Sequence, residues 1–169
     1  MKREEIYAIA EQFSEHDVRF SDERDGFDII NPFGKDPIYV EYEGEQLREP
    51  YMVCFSAHHV HLETADQVIE FVGDIIEGRR LSLELFKDGR LCMGADLDAQ
   101  ALRDLSYTML AKRLGLDGTP KPYGNMGRLI DRADSFKVRG WAPNADFDGK
   151  FIVDEQGNAA VQITDASAQ

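Results

Sequence analysis

Cysteine is scarce in this chain: Cys54 and Cys92 are the only two, and both sit inside apolar stretches. A secreted scaffold stapled by disulfides uses more of them at regular spacings, so the pair reads as buried free thiols in a reducing cytoplasm. Basic charge is also short, with 19 Lys and Arg against 32 Asp and Glu, a formal net charge of −13. Adjacent cations such as Arg79-Arg80 occur in no run longer than two. Phosphate backbones and anionic lipid are held by clustered Lys and Arg, so nucleic acid and membrane surfaces are disfavoured as partners. No apolar run approaches the roughly 20 residues of a membrane span. The start, Met1-Lys2-Arg3-Glu4-Glu5-Ile6, leads into an amphipathic pattern and not into the apolar core of a secretory signal. The expected location is therefore the cytoplasm.

Catalytic signatures are missing too. There is no Gly-x-Ser-x-Gly elbow, no His-Glu-x-x-His helix and no paired cysteine ligand set. Gly124-Asn125-Met126-Gly127 lacks the Lys-Ser/Thr that a phosphate loop requires. The single tryptophan, Trp141, sits beside Pro143 and reads as a local core anchor.

What is present is a hydrophobic fraction of 43% in 169 residues, enough for one domain, 1–169, with a real core. Ile6, Ile9, Ala10 and Phe13 recur with helical spacing, predicting a helix over 3–15. Val18-Arg19-Phe20 and Phe27-Asp28-Ile29-Ile30 flank Asp25-Gly26, a hairpin pattern. Ile38, Val40 and Tyr42 alternate with Tyr39, Glu41 and Glu43, a strand with one wet face, and an apolar strand over 51–62 follows. Thr64 and Gln67 have capping-box spacing ahead of the stripe Val68, Phe71, Val72, Ile75 and Ile76, which Gly78 ends. Leu81–Phe86 and Leu91–Met93 flank Asp88-Gly89, a second hairpin. Asp98 caps a third predicted helix that ends at Gly115.

Pro120, Pro122 and several glycines then mark a long loop over 118–128. Strand patterns return at 136–139, 150–153 and 160–163, and residues 165–169 are expected to fray. The fold class that follows is α+β, a mainly antiparallel sheet built from hairpins with about three helices packed on one face.

Three patterns carry candidate chemistry. The first is His58-His59-Val60-His61, three of the four histidines. On a strand, His59 and His61 share one face and His58 points the other way. Two same-face imidazoles can reach one divalent metal ion if a third ligand joins them, and Glu63, Glu84 and Asp96 are the available donors. The competing reading is that the rings close a strand end or rim a partner-binding face. The second is Asn144-x-Asp146-x-Asp148-Gly149 with Glu155, which has the spacing of a calcium loop. Ile152 stands where an oxygen donor is wanted and no entering helix precedes it, so a hairpin turning at Asp148-Gly149 is preferred. The third is Glu41, Glu43 and Glu45 on one strand face, either an electronegative patch that steers a basic protein or a solvated edge. Ser56 and His58, two residues apart, are expected on a common face, with no acidic third member implied.

The run Phe55-Ser56-Ala57-His58-His59-Val60-His61, a capped helix, and Leu83-Glu84-Leu85-Phe86-Lys87-Asp88-Gly89 together resemble small bacterial proteins, some of them similar to immunity proteins that neutralise polymorphic toxins. The resemblance covers residues 50–97. It implies a cytoplasmic, non-enzymatic protein whose acidic surface masks a basic toxin.

The expected function is therefore binding of another, basic protein through Glu41, Glu43, Glu45, His59 and His61, with no cofactor. The alternatives are a metal-dependent, hydrolase-like enzyme using His59 and His61, and a subunit of a homodimer.

Overall fold

The computed structural model describes residues 2–100, 133–153, 155 and 159–166. In chain order these form helix α1 (Lys2–Glu11), strands β1 (Val18–Phe20), β2 (Gly26–Ile29), β3 (Ile38–Tyr42), β4 (Tyr51–Phe55) and β5 (His58–Leu62), and helix α2 (Ala65–Ile76). Strands β6 (Arg80–Lys87), β7 (Arg90–Asp98), β8 (Ser135–Arg139), β9 (Phe147–Val153) and β10 (Ala159–Ala166) follow, with a 3-10 turn at Pro143–Ala145. Among the described residues, no helix is long and apolar enough to cross a membrane.

The fold is α+β, and among the described residues every strand pair is antiparallel, but the strands form two sheets where one was expected. The first is a five-stranded meander, β1-β2-β3-β4-β5; the second runs β10-β9-β8-β6-β7. The break falls at α2. After this helix β6 pairs with β7 and with the distant β8, and not with β5. Two helices lie within the described residues, and the third predicted helix and the 118–128 loop lie outside them.

Alternation explains the first core. Cross-strand partners Phe27, Val40, Val53 and Val60 share one face of the first sheet, as do Ile29, Ile38, Phe55 and His58. Ile6, Ile9, Ala10 and Phe13 of the α1 region and Val68, Phe71, Val72 and Ile75 of α2 pack on that face. The entry to α2 follows the capping box: the Thr64 hydroxyl accepts from the Gln67 amide, and the Gln67 side chain accepts from the Thr64 amide. Gly78, with φ of 74°, takes the chain out in the left-handed region that Gly favours. A second cluster, Leu81, Leu83, Leu85, Leu97, Phe136 and Val138, lines one face of the second sheet.

Several turns differ from the expectation. The apolar run 51–62 is a hairpin and not one strand; its turn is Ser56-Ala57, with Ser56 at φ 53°. No Gly, Asn or Asp announces it. Gly26 is not the turn of the first hairpin. It lies inside β2, where a Cβ would run into the carbonyl oxygen of Val40. Asp148-Gly149 is likewise no turn but part of β9, where Gly149 makes room for the Phe136 ring. Only Asp88-Gly89 turns as read, with φ of 49° and 74°. The end of the chain is ordered further than expected, since Asp165 and Ala166 pair with Asp148 and Phe147 in β10.

The two sheets meet where the β4–β5 turn reaches the polar face of the second sheet. His58 Nδ1 lies 3.1 Å from Ser82 Oγ, and the Ser56 hydroxyl donates to Glu84 Oε1 at 2.5 Å. Trp141, 4% exposed, fastens the β8–β9 connection to the first core. Its carbonyl accepts from the Asn31 side chain at 3.0 Å, and its ring stands 6.4 Å from that of Phe55.

Candidate functional site

The face of the first sheet opposite the helices gathers most of the residues singled out above. Register places Tyr39, Cys54 and His59 side by side across β3, β4 and β5, and Glu41, Met52 and His61 beside them. Glu43 follows β3, held there by its amide, which donates to the Pro50 carbonyl at 2.8 Å. Its carboxylate Oε2 lies 3.0 Å from His61 Nδ1. The His59 and His61 rings meet edge to face, 5.2 Å between centroids. As alternation requires, His58 points away, into the junction of the sheets, and is 8% exposed.

Charge on this face is organised in pairs. The Tyr39 hydroxyl donates to Glu41 Oε2 at 3.0 Å, and the Arg24 guanidinium stacks 3.6 Å from the centre of the Tyr39 ring. Arg24 also reaches Asp28 at 3.5 Å. Cys54, half-buried between these groups, has its thiol pushed upward, first by burial and then by the negative charge of Glu41 and Glu43, with Arg24 opposing. It is a poor nucleophile in this setting. Glu45 does not share the strand face. β3 ends at Tyr42, and Gly44, at φ 133°, swings the chain into the β3–β4 loop, where Glu45 is exposed.

The donors considered for a metal ion do not converge on His59 and His61. Glu63 holds Arg48 at 2.9 Å, Glu84 holds Ser56, and Asp96 holds Arg80 at 2.5 Å. Among the described residues, no group of three or more His, Cys, Asp or Glu side chains is placed to hold a metal ion. The calcium-loop spacing is also undone by the fold. Asp146 accepts from Lys35 Nζ at 2.7 Å and from the Gly140 amide at 2.9 Å, and Asp148 pairs with Arg139 at 2.7 Å. Residues 147–153 run as a strand, which carries these oxygens apart. Ser56 and His58 are not joined, because the turn between them sends each to a different partner on β6.

Sequence reasoning missed a second constellation. A cleft of about 310 Å³ opens at the junction of the sheets, lined by Lys35, Ser56, Glu84, Lys137, Arg139 and Asp146 among others. Lys137 and Arg139 alternate with the buried Phe136 and Val138, so the period-two pattern of β8 already placed both cations on one face. What no local pattern shows is that the β4–β5 turn comes to rest opposite them.

No protein family, curated protein or solved structure matches this chain.

Proposed function

We propose that this chain is a non-enzymatic binding protein, an immunity-type factor of the cytoplasm that neutralises a basic toxin by covering it. The observation that carries this reading is the juxtaposition of Glu41, Glu43, His59 and His61 on the sheet face turned away from both helices. In a chain of net charge −13, a basic protein is the partner this face complements. Glu41 and Glu43 pair with cations around the partner's active site, and Tyr39 and Met52 between the strands supply contact area. His59 and His61 form the rim, and exposed Glu45 extends the negative field beyond the end of β3.

The test is co-expression with the products of neighbouring genes, one at a time. The expected result is a basic, growth-arresting product whose effect the wild-type chain lifts and the E41K/E43K double variant does not, with circular dichroism showing that the variant folds. Rescue that survives E41K/E43K overturns the assignment of this face. Two rivals are separated by measurements on the purified protein. A metal-dependent enzyme would carry stoichiometric zinc, manganese or iron, lost on His59→Ala and His61→Ala. A homodimer subunit would show twice the chain mass in solution.

A further inference from the structure

Glu84 and Lys137 are directly opposite one another across β6 and β8, yet they form no ion pair. Opposite charges at such a position ordinarily attract and meet. Here each is drawn aside. The Glu84 carboxylate accepts the Ser56 hydroxyl at 2.5 Å, and the Lys137 ammonium lies 5.0 Å from the centre of the Phe86 ring. Among the described residues Lys137 has no carboxylate partner, whereas its neighbours Arg139 and Lys35 are paired with Asp148 and Asp146. Both separated charges line the junction cleft, whose wall also includes Phe55.

A second observation marks the same place. Ser56 is not glycine but adopts φ of 53°, a left-handed conformation that costs a side-chain-bearing residue and persists where its surroundings hold it. Ser56 is the first residue of the two-residue β4–β5 turn, a position that calls for positive φ, and its hydroxyl is the group that Glu84 accepts. With its carboxylate on the turn, Glu84 does not meet Lys137, and a carboxylate and an ammonium line one cleft unjoined. Its volume of about 310 Å³ falls at the small end of ligand sites.

We propose that this cleft binds a small zwitterion of the free amino acid class, its carboxylate on Lys137 and its ammonium on Glu84. A simple anion would meet the Glu84 carboxylate, and a simple cation would meet Lys137 and Arg139. A molecule carrying both charges a few bonds apart satisfies both walls and restores the pairing that the fold withholds. The site lies at the sheet junction, apart from the acidic face proposed to bind protein.

The experiment is calorimetric titration of the intact chain with the free amino acids, beside acetate and methylammonium as the separate halves. The expected result is binding of at least one amino acid, with acetate and methylammonium weaker by about tenfold or more. Lys137→Met and Glu84→Gln each lower the affinity by about tenfold, with unfolding midpoints near that of the wild type, and E41K/E43K leaves it unchanged. Backbone amide shifts around positions 56, 84 and 137 of the wild type place the ligand even if a variant fails to fold. No binding of any amino acid at about 10 mM, acetate binding as tightly as the amino acid, or shifts confined to other residues would each overturn the proposal.

Discussion

His58 Nδ1 and Ser82 Oγ, 3.1 Å apart and both buried, bridge the first sheet to the second. Burial pushes the imidazole pKa down; Asp96 works against this, and His59 and Arg80 add to it. In the unfolded chain an imidazole titrates near about 6.5. Below that pH the unfolded chain takes up a proton that the folded chain refuses until lower pH. The stability tied to this group is therefore whole above the unfolded value and is lost as pH falls toward the folded one. His58→Gln removes the linkage. Urea unfolding from about pH 7.5 to 5 is expected to show the stability gap between wild type and variant narrowing with acid. A gap constant across that range would show that His58 does not titrate with folding.

Gly94 of β7 lies against the backbone of Ala57 and His58, so close that a Cβ would overlap the Ala57 carbonyl. Neither partner is a flexible side chain, so the strain cannot be relieved locally. Gly94→Ala is expected to cost about 3 kcal/mol in urea unfolding and to loosen the junction of the sheets. Gly34 supplies the contrast: its φ is +72° and nothing stands within 4 Å of its missing Cβ. Gly34→Ala should cost only about 1 kcal/mol, the conformational penalty alone. Equal costs at the two sites would refute the close approach.

Cys54 reports on the acidic face. In a Cys92→Ser background it is the sole thiol, and its modification by a maleimide is expected to be slow at neutral pH and to rise only in alkali. Burial is the larger cause and the field of Glu41 and Glu43 the smaller. Glu41→Gln/Glu43→Gln should therefore speed the reaction by about threefold without abolishing its pH dependence. An unchanged rate would show that the carboxylates do not act on the thiol.

Much of the fold was legible where its information is local. The stripe of α2, its capping box and the Asp88-Gly89 turn each depend on residues a few positions apart, and all three form as read. Strand alternation separated His58 from His59 and His61 correctly even though the strand was drawn too long, because a period of two fixes relative faces within β5 itself. The same error misled the reading of Ser56, since the unrecognised turn between β4 and β5 breaks the alternation there. Asp-Gly was a turn signal that held once. At Gly26 and Gly149 the missing side chain serves close packing, against Val40 and Phe136, and a dipeptide does not distinguish the two uses.

The amino-acid order alone thus decided the two helices of the described residues, the wet and dry faces of β3 and the separation of the three clustered histidines, because these follow from backbone period and side-chain chemistry. Tertiary structure alone decided that the described strands form two sheets, that Glu43 meets His61, and that Ser56 meets Glu84 while Lys137 has no carboxylate partner among the described residues. Each of these depends on which distant strand completes an edge and in what register. Shifting β5 by one residue against β4 would turn His59 and His61 inward and bring His58 out to the acidic face, with no change in the sequence of either strand.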